Sequence, residues 1–332
     1  MEFISDYGMF AAKAVTILIV IWVVIALIVS AAHKQHEEDQ IEIKNLNKKF
    51  ADMKLMMQRA LLSKKEVKAL AKKLKKENKQ KDQDRKHVYV LNFVGNIKAS
   101  AVKHLRKEIT ALLSVATPKD EVVVCLENAG GMVHEHGLAA SQLQRIKDRN
   151  IPLTVAVDKV AASGGYMMAC VADRIVAAPF SIIGSIGVIA QLPNFNKMLE
   201  KHGIEYEQVK AGELKRTLTM FGKNTDEDRA RFTEQMEETH DLFKEFVADH
   251  RSQLDMAKIA TGEHWLGKKA LQLQLVDELI TSDDYLLKQS EQADVYEIKH
   301  SGPKTFSEKL FANAQSAFEK VLTVWWEKKL LS

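Results

Sequence analysis

Leu153-Thr154-Val155-Ala156-Val157-Asp158-Lys159-Val160-Ala161-Ala162-Ser163-Gly164-Gly165-Tyr166 is the stretch from which the rest of the chain is read. Its first five residues carry no charge and are mostly apolar, which suits a strand buried on both faces and ending at about Val157. A turn of small residues follows, then an apolar helical run through Met167, Met168 and Ala169. Ser163 thus falls at a strand-to-helix turn, where backbone N–H groups lack helical partners and the helix dipole is positive. Chemistry that builds negative charge on oxygen benefits there, and Gly164 and Gly165 admit a close backbone approach. The pattern is not the Gly-x-Ser-x-Gly elbow of α/β-hydrolases. Most serines in such runs are helix caps, so this stretch alone assigns no catalysis.

The same alternation continues on both sides. Further strands are expected over 88–93, 121–126 and 174–176, with helices over about 101–115 and 138–149. A long charged helix is expected over 225–251, then a short helix over 268–273 and a strand-like 275–277. Strands alternating with amphipathic helices argue for an α/β domain built on a largely parallel sheet. Glu127-Asn128-Ala129-Gly130-Gly131-Met132 makes a second glycine turn after the strand that ends near Leu126. Loops at the same ends of parallel strands face one cleft, and the amides of Gly130 or Gly131 are candidate oxyanion donors. An ordinary strand-to-helix turn explains the same residues.

A serine nucleophile needs a base. His134 and His136 lie just past the glycine turn, in a His-Glu-His triplet that also suits a solvated helix start. Lys215, in Gly212-Glu213-Leu214-Lys215-Arg216, serves only if desolvation or a cationic neighbour leaves it a neutral amine. Both kinds of base stay open on the residues alone.

The chain has 332 residues, 46% of them hydrophobic, with a formal charge of +4. Residues 64–86 carry eleven Lys/Arg against four Asp/Glu. No aromatics are interleaved there, so this basic block suits a membrane surface or a solvated helix rather than stacked nucleic-acid bases. Residues 14–32 are uncharged and almost wholly apolar. As a helix they would rise about 28 Å, close to a bilayer's hydrocarbon thickness, so 1–33 is expected as an uncleaved anchor rather than a signal peptide. Residues 34–94 lack Gly and Pro. Leu46, Phe50, Met53, Met57 and Ala60 recur at helical steps there, so 34–86 is expected as a charged helical stalk, either coiled or packed on the catalytic domain. An α/β domain is expected over 87–300, and a Trp-containing amphipathic helix over 301–332. Cys125 and Cys170 read as small core hydrophobes, and no Cys/His spacing resembles a zinc site. No metal or cofactor is expected.

Four motifs taken together go further. The run 161–166, the Gly130-Gly131 loop, Gly184-Ser185-Ile186-Gly187-Val188 and Gly212-Glu213-Leu214-Lys215 resemble, in order and spacing, motifs of the signal peptide peptidase family. The likeness is closest to its membrane-anchored bacterial members, which share Thr261-Gly262-Glu263-His264-Trp265 and a Trp-Trp pair like Trp325-Trp326. The resemblance implies a fold similar to ClpP protease and crotonase. It also implies a Ser/Lys dyad, with Ser163 as nucleophile and Lys215 as general base. Ser185 would orient the lysine, and amides at Gly130, Gly131 and Gly164 would hold the oxyanion. It further implies peptide substrates with small or apolar residues at the scissile bond, assembly into homo-oligomeric rings, and a place in the bacterial inner membrane. The family is taken to work at the periplasmic face, whereas the basic residues after the apolar segment favour the cytoplasmic side. Two departures stand out: Asn128-Ala129 replaces the family's Ser-Pro, and Gln274 replaces a Gly before Leu-Val-Asp. Two rival readings remain, a crotonase-like acyl-CoA enzyme and a non-catalytic membrane scaffold.

Overall fold

The computed structural model describes residues 40–62, 66, 85–212, 215 and 218–301, together with 10, 13, 15–18 and 20–22. Residues Glu42–Lys299 form one compact unit, and 1–41 with 300–332 form another. The main sheet has seven strands in the order β1-β10-β2-β3-β4-β6-β9. These are β1 (Gln40–Asn45), β2 (His87–Val94), β3 (Glu121–Glu127), β4 (Leu153–Val157), β6 (Arg174–Ala177), β9 (Glu278–Leu279) and β10 (Asp294–Ser301). From β10 to β9 every pairing is parallel, with Asp294 opposite His87, Val88 opposite Glu121, Val122 opposite Leu153, Thr154 opposite Arg174 and Val176 opposite Glu278. β6 and β9 are therefore neighbours, although residues 178–277 lie between them in the chain.

Parallel strands must be linked by crossovers, and these cover the sheet. Val90, Val123, Ala156 and Val176 pack with Leu46, Tyr285, Leu286 and Val295 on one face. Residues of the other parity, Leu91, Phe93, Val122 and Val124, are equally buried. Helices α2 (Val102–Leu112) and α3 (Val133–Lys147) contribute buried Leu105, Ile109, Leu143 and Ile146. A smaller sheet joins β5 (Val160–Ala162), β7 (Ile182–Gly184) and β8 (His264–Leu266), β5 parallel and β8 antiparallel to β7. Helix α4 (Gly164–Ala169) follows β5 directly. The long excursion also holds α5 (Asn196–Lys201), α6 (Asp226–His250), α7 (Met256–Ile259) and α8 (Gly267–Gln272). Thr225 and Asp228 form a reciprocal capping box that starts α6.

Two expected elements differ. The helix read from residue 34 onward begins only at α1 (Leu46–Leu61), after β1. Gln40-Ile41-Glu42-Ile43-Lys44 alternates with period two, the strand pattern, and the Asn45 side chain caps α1 by accepting from Lys48 N–H at 2.8 Å. Only the start of α1 packs on the domain, through Leu46 and Phe50; Met53 and Met57 are exposed. The strand-like 275–277 is a bend with Leu275 and Val276 buried and Asp277 exposed, following the left-handed Gln274 (φ 61°), and the strand starts at Glu278. Most of the anchor expected over 14–32, most of the basic block and nearly all of the helix expected over 301–332 lie outside the described residues. Residues 15–18 and 20–22 are helical, and no helix among the described residues is long and apolar enough to cross a membrane.

Candidate active site

β5 delivers its last residue, Ala162, into register with Gly184 of β7, and Ser163 comes next. The Ser163 N–H donates to the Gly184 carbonyl at 2.7 Å. Its backbone sits at φ 53°, ψ −119°, as N-cap of α4, with no capping bond from its side chain. A non-glycine residue in that region costs about 1–3 kcal/mol and persists only where its surroundings enforce it. The capping explanation of the serine therefore lacks its defining bond. Behind it, Tyr166 donates its hydroxyl to the Leu275 carbonyl at 3.0 Å. Burial pushes the Tyr166 phenol and the Cys170 thiol up, so neither offers an anion to compete with Ser163.

The glycine loop reaches the same place. Asn128 continues β3 by bridging to Ala161, its N–H donating to Val160 O at 2.9 Å and its carbonyl accepting from Ala162 N–H at 3.0 Å. Gly130 has φ 93° and Gly131 φ 153°. A Cβ on Gly130 would come within 2.7 Å of the Ser163 Cβ and 2.9 Å of the Gly164 nitrogen. Gly131 is held on its other side by Ile97, whose carbonyl accepts from Met132 N–H at 2.9 Å. The Gly130 N–H donates to Asn128 Oδ1 at 2.7 Å. Gly164 and Gly165 have a reason beyond substrate approach: a Cβ on the first would strike the His136 ring, and on the second the Asn128 carbonyl.

The two histidines part company. His134 is exposed at the start of α3. His136 is fully buried, with Nδ1 2.9 Å from Met132 O and Nε2 3.2 Å from Asn128 Oδ1. The triplet is solvated at one end only. Its signal was present in the sequence: His136, Ala139, Ala140 and Leu143 share one helical face. His136, named above as a candidate base, is instead paired with Asn128, a contact that the motif reading did not anticipate.

Ser185 directly follows Gly184, whose carbonyl takes the Ser163 N–H, and also has a positive φ, 53°. Its N–H donates to Glu263 O at 2.6 Å, and Gly262 N–H donates to Ile186 O at 3.1 Å. Thr261-Gly262-Glu263-His264-Trp265 thereby braces the serine, with Trp265 packed where a Cβ on Gly184 would sit. Lys215 is exposed. Its N–H donates to Gly212 O at 3.2 Å, and none of the described contacts joins it to Ser163 or Ser185. The structure thus brings Ser163, Ser185 and the three glycines together and leaves Lys215 at the surface. Among the described residues no cluster of three His, Cys, Asp or Glu could hold a metal. Cys125 and Cys170 are free thiols, and burial, with Asp158 nearby, pushes Cys125 up to about 12.

These features define a class of protein: a mixed α/β fold on a parallel-rich sheet, presenting a strained serine at a helix start beside a glycine loop. The chain belongs to peptidase family S49, residues 2–143 matching the family's N-terminal region and 145–296 the S49 peptidase region itself. It is 46% identical over 332 aligned residues to a Haemophilus influenzae protein named "Probable protease SohB", covering 95% of this chain and 94% of that one. A protein of the same name from Buchnera aphidicola subsp. Schlechtendalia chinensis is 45% identical over 303 residues, 86% of this chain and 99% of its own. A relative from Enterococcus faecium, named "Putative signal peptide peptidase SppA", is 32% identical over 182 residues, 54% of this chain and 53% of its own. The chain is a protease, which displaces the acyl-CoA and scaffold readings, and its substrates are peptides or proteins.

Proposed function

We propose that the protein hydrolyses peptide bonds through an acyl-enzyme on Ser163, with Lys215 as general base. The backbone of Ser163 carries this reading: a strained, uncapping serine wedged between a helix N-terminus and the Gly130-Gly131 loop. Neutral Lys215, oriented by Ser185, takes the Ser163 proton as Oγ attacks the carbonyl, and returns it to the leaving amine as the C–N bond breaks. A water then hydrolyses the acyl-enzyme. The oxyanion falls to the amides of Gly131 and Gly164. Gly130 shapes the loop, its own N–H being engaged by Asn128. A lysine acts as a base only when water is taken from it. Lys215 is exposed in the single chain, so substrate or a second copy of the chain must cover it, which makes a homo-oligomer part of the proposal. The apolar segment 14–32 is the proposed anchor in a bacterial inner membrane, where unfolded or membrane-derived peptides are at hand. The side of the membrane is assigned by a C-terminal reporter.

The test is labelling by a fluorophosphonate probe across pH. Labelling of the wild type that rises with pH, and that both Ser163→Ala and Lys215→Ala abolish in folded protein, is the expected outcome. Labelling retained by Lys215→Ala removes the lysine from the mechanism; labelling retained by Ser163→Ala removes the nucleophile.

A further inference from the structure

We infer that His136 is a positioning residue of this peptidase, holding Asn128 and, through it, the Gly130 amide, so that the glycine loop keeps its distance from Ser163. The inference rests on Ser163 being the nucleophile. Two donors converge on Asn128 Oδ1, the Gly130 N–H at 2.7 Å and His136 Nε2 at 3.2 Å. The other end of the amide, Nδ2, donates to Met168 Sδ at 3.7 Å, a weak acceptor. That environment fixes which end of the amide is oxygen, so Nε2 faces it as a donor. The remaining ring nitrogen faces Met132 O, a carbonyl that also takes the His136 N–H at 3.1 Å. Asn128 and His136 are 1% and 0% exposed. Water cannot replace a lost partner there, so a group that loses one stays unsatisfied.

Position matters as much as bonding. The same imidazole lies against Gly164, where no Cβ fits. One side chain thus touches the helix start behind the nucleophile and, through one amide, the loop in front of it. Where the resembling family has Ser-Pro, a proline ring restricts the loop's backbone. Ala129 has no such ring, and the bracket of His136, Asn128 and Gly130 supplies the restraint from the side.

Gln and Asn at 136 separate this role from plain packing, since a glutamine amide nitrogen falls near the place of Nε2 and an asparagine's near that of Nδ1. The full chain, purified, is assayed for hydrolysis of dye-labelled denatured casein and for hydrogen exchange of the peptide spanning 128–136. His136→Asn is expected to lower kcat about 100-fold, the scale of an ångström's misplacement at a reacting centre. KM stays near wild type, and exchange at the Gly130 amide quickens. His136→Gln is expected to restore both readouts to within a few-fold. Equal behaviour of the two variants in both readouts overturns the proposal. If His136→Asn does not fold, Asn128→Ala carries the same test, removing the acceptor and leaving the ring. Should the wild type neither cleave casein nor take a fluorophosphonate, the nucleophile assignment is what fails. The exchange arm then decides the bracket alone, and Gly130 exchange equal in His136→Asn and wild type overturns it.

Discussion

Ser163 holds a backbone conformation that glycine adopts freely and serine does not. Function and stability therefore pull apart at this one position. Ser163→Gly is expected to be inactive yet more stable than wild type by about 1 kcal/mol, as the strain is released, while Ser163→Ala is inactive at near wild-type stability. Urea unfolding of the three proteins checks this, and a destabilised glycine variant would show the conformation to be unstrained. The residue scale is also where the sequence was most legible. Serine, glycine pair and glycine loop all meet as the motif spacing implied, because covalent neighbours and strand ends leave them little choice. Gln274 tells the same story from the other side. It sits at φ 61°, a conformation that glycine adopts without cost and glutamine does not. The Asn128–His136 bond was hidden because it joins two side chains whose meeting depends on how α3 lies against β3, which no local pattern encodes.

Among the elements, the start of β2 is tied to the turn before β3 by one buried carboxylate. Asp120 accepts from the N–H of His87 and of Thr117 at 2.9 Å each, from the Thr117 hydroxyl at 2.9 Å, and faces His87 Nδ1 at 3.2 Å. Burial pushes this carboxyl up, but the hydrogen bonds from Thr117 and His87 outweigh it and hold the group below the usual aspartate range. A lowered folded value means that the stabilisation is complete above the unfolded value of about 3.9 and is lost as pH falls through the folded one. Asp120→Asn is therefore expected to be less stable than wild type at neutral pH, with the gap closing in acid below about pH 4. A gap that stays constant down to pH 2 would assign the loss to shape rather than charge. Strands β2, β3, β4 and β6 and helix α6 were legible to within a residue or two, since each has its own period. β1 was not, because a missing breaker says nothing about which regular structure a polar stretch takes, and a two-residue period over six residues is easily read as part of a longer helix. The start of α3 at Val133 was missed for a related reason: its first buried residue is a histidine, which an apolar count skips.

At the scale of the whole molecule, the sheet and the excursion between β6 and β9 answer to different constraints. The excursion is pinned where Val176 meets Glu278 and where β7 joins the small sheet. Gly203 lies within it at φ 68°, exposed, with open space around an added Cβ. Lengthening such a loop costs little, about 0.6 kcal/mol for each doubling. A six-residue Gly/Ser insertion after Gly203 is accordingly expected to change the unfolding free energy by less than about 1 kcal/mol. Urea titration of the insertion variant checks this, and a larger loss would show that the segment around Gly203 carries part of the fold.

The proposed nucleophile is held by the small sheet, at Gly184 of β7, while its proposed base sits at the exposed surface of the excursion. Mutational drift is therefore filtered unevenly along the gene. Changes in β2, β3 and β4 are screened first by whether the chain folds. Changes around Lys215 escape that screen and are judged by turnover alone. Substitutions near Lys215 thus reach turnover before they reach the fold, whereas substitutions at Gly184 or Glu263 reach both at once.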